Sequence, residues 1–261
     1  MPLSPELREI PGIALKFTRA GLTSEIIRNL FQENANRDLI SDGNRLLVEF
    51  KKSYNFNLEG LDNIPNGGIL AFNHPSNGIL IPAFLEMASQ VFEIKNKNIS
   101  FLMATEIVMS GKFNDKIALP GSIQFITRFH SLYSDNIIST PTVESRKDFI
   151  SGRAIAARNM IKRLKSGEIV AISPEGHTEI DNKISPIETF HKGAGAVAIL
   201  AKKFDKPVVP TSIWSEESTI YIKIGAPFFI GSTEDGAAVI EIMAKIAEML
   251  PIELRGPFLL K

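Results

Sequence analysis

The feature that most constrains this chain is the alternation of short apolar runs with patterns of helix length. Runs of strand length lie at residues 69–72, 99–103, 122–126, 169–172, 208–212 and 220–224. Apolar residues return at helical spacing over residues 81–92, 145–165, 193–203 and 237–249. Two further helical patterns come first: Leu22, Ile26, Ile27, Leu30 and Phe31, then Leu39, Leu46, Leu47 and Phe50. A short strand and a Pro-Asn-Gly-Gly turn link them to the run at 69–72. Strands separated by helices pair in parallel. The expected fold is therefore α/β: a central mixed, largely parallel sheet flanked by helices, preceded by an N-terminal helical segment. The expected boundary puts the helical segment at 1–54 and the α/β domain at 55–261.

Composition removes several classes of function. With no cysteine there is no disulfide, thiol nucleophile or thiolate metal site. Lys plus Arg and Asp plus Glu number 29 each, which argues against a dedicated nucleic-acid binder. No apolar stretch approaches the ~18 residues of a membrane-spanning helix. The opening MPLSPELREI carries Glu6, Arg8 and Glu9 where a secretory leader needs a basic start and an apolar run. The expected location is cytoplasmic. Ile10, Ile13, Leu15 and Phe17, near Lys16 and Arg19, could lay an amphipathic face on a membrane, or pack on the domain as an ordinary helix.

In open α/β sheets, active residues gather where strands end and loops begin. Three runs end in polar chemistry: Asn73-His74, Thr127-Arg128 and Pro174-Glu175-Gly176. His74, followed by Pro75-Ser76-Asn77-Gly78, is the candidate general base, because a neutral imidazole takes a proton near physiological pH. The alternative is a strand-end histidine satisfied by local backbone. Glu175 could position a hydroxyl, and Gly176 could let a substrate approach the backbone, or both could belong to a solvated turn. Arg128 suits forked binding of phosphate or carboxylate, or a surface ion pair. Lys192 stands before Gly193-Ala194-Gly195, an expected helix start that would favour an anion. The glycines there could instead serve close packing. His177 and His191 match no zinc spacing, and no metal site is expected.

Taken in order, these segments resemble the glycerolipid acyltransferase family, which includes lysophosphatidate and glycerol-3-phosphate acyltransferases. NFNLEGLDNIPNGGILAFNHPSNG is similar to the family's first block, a strand ending in Asn-His. FLMATEIV with GSIQFITR resembles the second, which ends in Arg. AISPEG resembles the Pro-Glu-Gly block, and FHKGAGAVAILAKKFDKPVVPTSIW the Lys-Gly-Ala helix with its Val-Pro strand. IAEMLPIELRGPF is similar to the family's C-terminal helix and tail.

The resemblance implies direct acyl transfer from acyl-CoA or acyl carrier protein to a hydroxyl of a lipid or lipid-like acceptor, of lysophospholipid or glycerol phosphate type. It requires no cofactor besides the acyl donor. It makes His74 and Glu175 catalytic, and Asn73, Ser76, Asn77, Arg128, Gly176 and Lys192 substrate-binding, with an apolar groove for the acyl chain. It also implies a peripheral place on the inner face of a membrane, and no nucleic-acid partner.

Two departures follow from the same alignment. In the family, four residues separate the His from an Asp, or five in some relatives; here the corresponding positions are Ile79 and Leu80, and Ile81 precedes Pro82. Asn77 could hydrogen-bond in place of that Asp, and Glu86 lies further along the helix. The Arg of the Pro-Glu-Gly-Thr-Arg block is also replaced, since the chain reads Pro174-Glu175-Gly176-His177-Thr178. A second reading is therefore a weak or inactive protein that keeps the fold and binds acyl chains or lipid.

Overall fold

A computed structural model of the chain describes residues 20–32, 35–110, 116–118 and 121–259. The amphipathic pattern at residues 10–19 lies outside the described residues. Helices α1 (Ala20–Leu30) and α2 (Leu39–Phe50) come first. Then follow β1 (Asn55–Glu59), β2 (Gly68–Phe72), α3 (Leu80–Lys95) and β3 (Ile99–Ala104). Short β4 (Val108–Ser110) and β5 (Lys116–Ala118) pair with each other. The chain continues through α4 (Ser122–Leu132), β6 (Ile137–Thr140), α5 (Phe149–Lys165) and β7 (Ile169–Ile172). It ends with α6 (Ala194–Lys202), β8 (Val208–Glu216), β9 (Thr219–Ile224) and α7 (Asp235–Ala247).

Seven strands form one sheet in the order β1-β9-β8-β2-β7-β3-β6. Neighbours are parallel throughout, except the β8–β9 hairpin, which is antiparallel. The central strands β2 and β7 are buried along their whole length. That is why they read as unbroken apolar runs: both faces of the sheet are covered. Side chains alternate across a strand. Ile69 and Ala71 join a core completed by Ala156, Met160, Val197, Ala198 and Ile242 of α5, α6 and α7. Leu70 and Phe72 join the opposite core with Ala83, Met87 and Val91 of α3.

The N-terminal helices are tied to α4 by polar contacts. Arg37 N–H donates to the carbonyl of Leu132, and buried Tyr133 donates its hydroxyl to Asp42 at 2.9 Å. Arg37 and Arg45 both pair with Glu25, and Arg37 also grips Asp42.

One element differs in kind from the expectation. Residues 122–126 are the start of helix α4, not a strand. A short apolar run does not distinguish the two by periodicity alone. Ile123, Ile126, Phe129 and His130 return every three or four residues, and buried His130 and Leu132 extend the pattern past the apparent strand. The strand expected there is supplied instead by β6, whose apolar part is only Ile137 and Ile138.

Candidate active site

The three strands at the centre of the sheet, β8, β2 and β7, deliver the candidate residues from their C-terminal ends. Asn73 follows β2 directly and is 1 % exposed. Its side-chain carbonyl accepts the N–H of Ile213 at 2.8 Å, and its amide donates to the carbonyl of Ile213 at 2.9 Å. It thereby continues the β2–β8 ladder with a side chain and locks the exit of the strand. The same amide donates to Glu179 Oε1 at 3.0 Å.

His74 comes next, half-buried, with its Nδ1 out of solvent. Its carbonyl accepts the N–H of Glu179 at 2.8 Å. Two residues on, the N–H and hydroxyl of Ser76 each donate to Asn182 Oδ1 at 2.9 Å. Asn77 donates to the Ser215 hydroxyl of β8 at 2.9 Å. Residues 73–77 are thus strapped on one side by residues 179–182 and pinned on the other to β8. Ser76 and Asn77, expected on substrate, spend these polar atoms holding the His74 loop.

Glu175 follows β7 and is fully buried. Its Oε2 accepts the N–H of Ser185 at 2.9 Å, while Oε1 has no hydrogen-bond partner. Burial pushes its carboxyl above the usual range, against the pull of the Ser185 and His74 backbone amides and of His177. Glu179 is 3 % exposed, and its Oε2 has no hydrogen-bond partner. Burial first, and the charge of Glu175 second, push Glu179 up to about 8, while the Asn73 amide opposes the shift. The buried hydroxyls of Ser173, just after β7, and of Thr211, within β8, make no hydrogen bond either. Buried polar atoms are nearly always bonded, so this concentration beside β2, β7 and β8 makes the cluster the candidate site. Titratable groups shifted by burial and by each other point to the same spot.

A sequence model of the acyltransferase family matches residues 55–214, which run from β1 into β8 and include Asn73, His74, Glu175 and Glu179. The chain belongs to the acyltransferase family. Among solved structures, the acyltransferase is similar to the 1-acyl-sn-glycerophosphate (LPA) acyltransferase PlsC from Thermotoga maritima, with 20% identity over 91% of this chain and 90% of that one and a TM-score of 0.44. No curated protein matches.

Within the acyltransferase, the remaining expected residues sit elsewhere or are otherwise engaged. Arg128 is on α4, where its Nε donates to the carbonyl of Leu30 at 2.9 Å and its Nη2 to that of Gln32. It satisfies the open carbonyl end of α1, and none of its recorded partners belongs to the His74 cluster. Lys192 is exposed, and the anion at the start of α6 is the protein's own. Asp235 accepts the N–H of Gly193 and of Ala196, both at 2.8 Å. The helix dipole is answered by this carboxylate, and Gly195 is required because a side chain there would strike Asp235. Gly176 has φ +75, and a Cβ would come within 2.6 Å of His191; its neighbour is that ring, not a substrate.

Ile79, at the first of these positions, is aliphatic for a structural reason. Ile79 is 3 % exposed and packs in the α3-side core. Glu86, the acid further along the helix, is committed to Lys51 of α2 at 2.8 Å. Neither supplies a carboxylate to His74. Glu179 escaped sequence reasoning because an acid in a polar loop reads as solvated; its only sequence signal is a place four residues after Glu175.

Proposed function

We propose that the protein transfers a fatty acyl group from a thioester, acyl-CoA or acyl carrier protein, to a hydroxyl of a lipid or lipid-like acceptor. His74 acts as general base. The observation that carries this reading is the rigid presentation of His74 at the end of a fully buried central strand, locked by Asn73 and strapped by Glu179. A base held in one geometry is what a proton transfer in the transition state needs.

In this mechanism Nε2 of His74 takes the acceptor's hydroxyl proton as the oxygen attacks the thioester carbonyl. The tetrahedral intermediate collapses, the C–S bond breaks, and the imidazolium returns its proton to the departing thiolate. Ile81 and Ile180 support an apolar substrate: they are 55% and 72% exposed and stand on the segments just after His74 and Glu179. The acceptor would meet the site at a membrane face. Among the described residues no helix is long and apolar enough to cross a membrane.

The test is release of free thiol from acyl-CoA and from acyl carrier protein with a panel of lysophospholipid, glycerol phosphate and uncharged lipid alcohols. Turnover that falls on the order of 10²–10⁴-fold in a folded His74→Ala variant supports the reading. Ligand binding without turnover favours the second reading, a lipid binder, which the buried Ile79 in place of an acid recommends.

A further inference from the structure

We propose that the outward face of α5, along Ile155, Arg158, Lys162 and Lys165, is the docking surface for an acidic protein that carries the acyl thioester. The proposal rests on the acyl-transfer reading for its donor, and it selects an acyl carrier protein over acyl-CoA.

Residues Phe149–Lys165 hold Arg153, Arg158, Lys162, Arg163 and Lys165 and no acidic residue. Ala156, Met160 and Leu164 bury the inner face of the helix. Two of the cations serve the fold. Arg153 donates to the carbonyl of Lys192, and Arg163 donates to the carbonyls of Ser134 and Asp135 and to the Glu168 carboxylate. Arg158 and Lys162 are exposed and, among the described residues, have neither an ion pair nor a hydrogen bond. Lys165 is exposed too, its ammonium 4.3 Å from the centre of the Phe204 ring. Positions 155, 158, 162 and 165 recur every three or four residues and so share one face. Like charges at that spacing repel and weaken a helix, so stability does not explain the stripe. Ile155, 54% exposed, sets an apolar contact at its head. Unpaired cations beside an apolar contact complement an acidic helix.

The placement of α5 decides between an acidic protein and an anionic membrane. Its N-terminal end lies at the catalytic edge of the sheet. There Arg153 reaches Lys192, and the neighbouring His191 donates its N–H to the Glu175 carbonyl at 3.0 Å. Its other end lies at the opposite edge, where Gly167 abuts Gly67, just before β2. At about 1.5 Å per residue, Arg158 and Lys165 stand about 14 and about 24 Å along the axis from Phe149. With lipid at the catalytic edge, these cations lie beyond the ~8 Å reach of headgroup charges. A soluble partner lying along α5 meets the whole stripe. Its flexible prosthetic arm, running along the helix toward Arg153, delivers the thioester to the His74 edge. Acyl-CoA has no protein surface with which to use the stripe.

The experiment compares palmitoyl acyl carrier protein with palmitoyl-CoA as donors for the full-length protein, and reads carrier binding by fluorescence anisotropy. Reversing two charges, Arg158→Glu with Lys162→Glu, should raise KM for the carrier thioester about 10-fold with kcat kept. Carrier binding should weaken by the same factor, while kcat/KM for the CoA thioester stays within about twofold. Added salt should shrink the difference between the variant and the unaltered protein. Equal losses with both donors, or none with either, overturn the proposal. Lost binding to phosphatidylglycerol vesicles with carrier binding unchanged overturns it in favour of a membrane. If the reversed variant does not fold, Arg158→Gln with Lys162→Gln, which keeps good helix formers, decides by the same readouts. Transfer from acyl-CoA with no carrier binding overturns the docking surface and leaves the acyl-transfer reading standing. If neither donor is used, the acyl-transfer reading fails, and carrier binding still decides the surface.

Discussion

Two buried acid clusters sit at the same edge of the sheet and are built in opposite ways. At the end of β3, Glu106 is 5 % exposed, yet both its oxygens are fully engaged. Oε1 accepts the N–H of Val143 at 2.7 Å and the hydroxyl of Thr142 at 3.0 Å; Oε2 accepts Arg146 at 2.6 Å and the Thr105 hydroxyl. Burial pushes the Glu106 carboxyl up, but the bonds from Thr105, Thr142 and Val143 outweigh it and hold it below the ordinary range. At the ends of β2 and β7, Glu175 and Glu179 are as deeply buried, each keeps one oxygen unbonded, and both are pushed up. The first cluster spends its carboxylate on holding β3 to the loop after β6. The second keeps its carboxylates poorly satisfied beside a histidine, which costs stability and leaves reactivity.

The largest effect that would sharpen this contrast is on turnover. His74→Ala should remove acyl transfer on the order of 10²–10⁴-fold while leaving the denaturation midpoint nearly unchanged; a collapse of the fold instead would erase the distinction. Arg146→Met should do the reverse. It leaves Glu106 charged and buried without its cation, a loss of about 3 kcal/mol in urea denaturation. A stability within a few tenths of the unaltered protein would mean the β3 cluster is not structural.

The pH dependence of stability separates the clusters next. The folded Glu179 carboxyl lies at about 8, above its ordinary 4.5. Its contribution to stability is therefore fully present below about 4.5 and is lost as pH rises through about 8. Glu179→Gln should match the unaltered protein near the acid end of that window and exceed it in stability above the upper end, as read by denaturation at both pH values. Glu106→Gln should show the opposite sign, because a depressed carboxyl gives stability above its unfolded pKa and loses it on acidification. The smallest effect is at α6. Asp235→Ala removes the acceptor for the Gly193 and Ala196 amides and should cost about 1 kcal/mol, visible as a modest drop in melting temperature with turnover retained.

The framework of the fold was legible because its central strands are buried on both faces. Residues 69–72 and 169–172 had to be continuous apolar runs, and β2 and β7 occupy those positions. Residues 122–126 misled, since five residues hold barely more than one helical turn and an apolar run of that length suits either structure. In the site, the polar residues directly after β2 and β7 were visible from chain order, because a strand end delivers its next residues to one edge of the sheet. Arg128 and Lys192 were legible only as cations near plausible sites. Their actual neighbours, the α1 carbonyls for one and a helix start already occupied by Asp235 for the other, come from distant parts of the chain.

The amino-acid order by itself determined the layered α/β plan and family membership, and it put an Asn-His pair and a Pro-Glu-Gly turn at strand ends, since periodicity and motif spacing are local properties. Only the tertiary structure decided which acids are buried and which of those are bonded. Desolvation and long-range hydrogen bonds set a carboxylate's energy, and neither exists until residues a hundred positions apart are brought into contact.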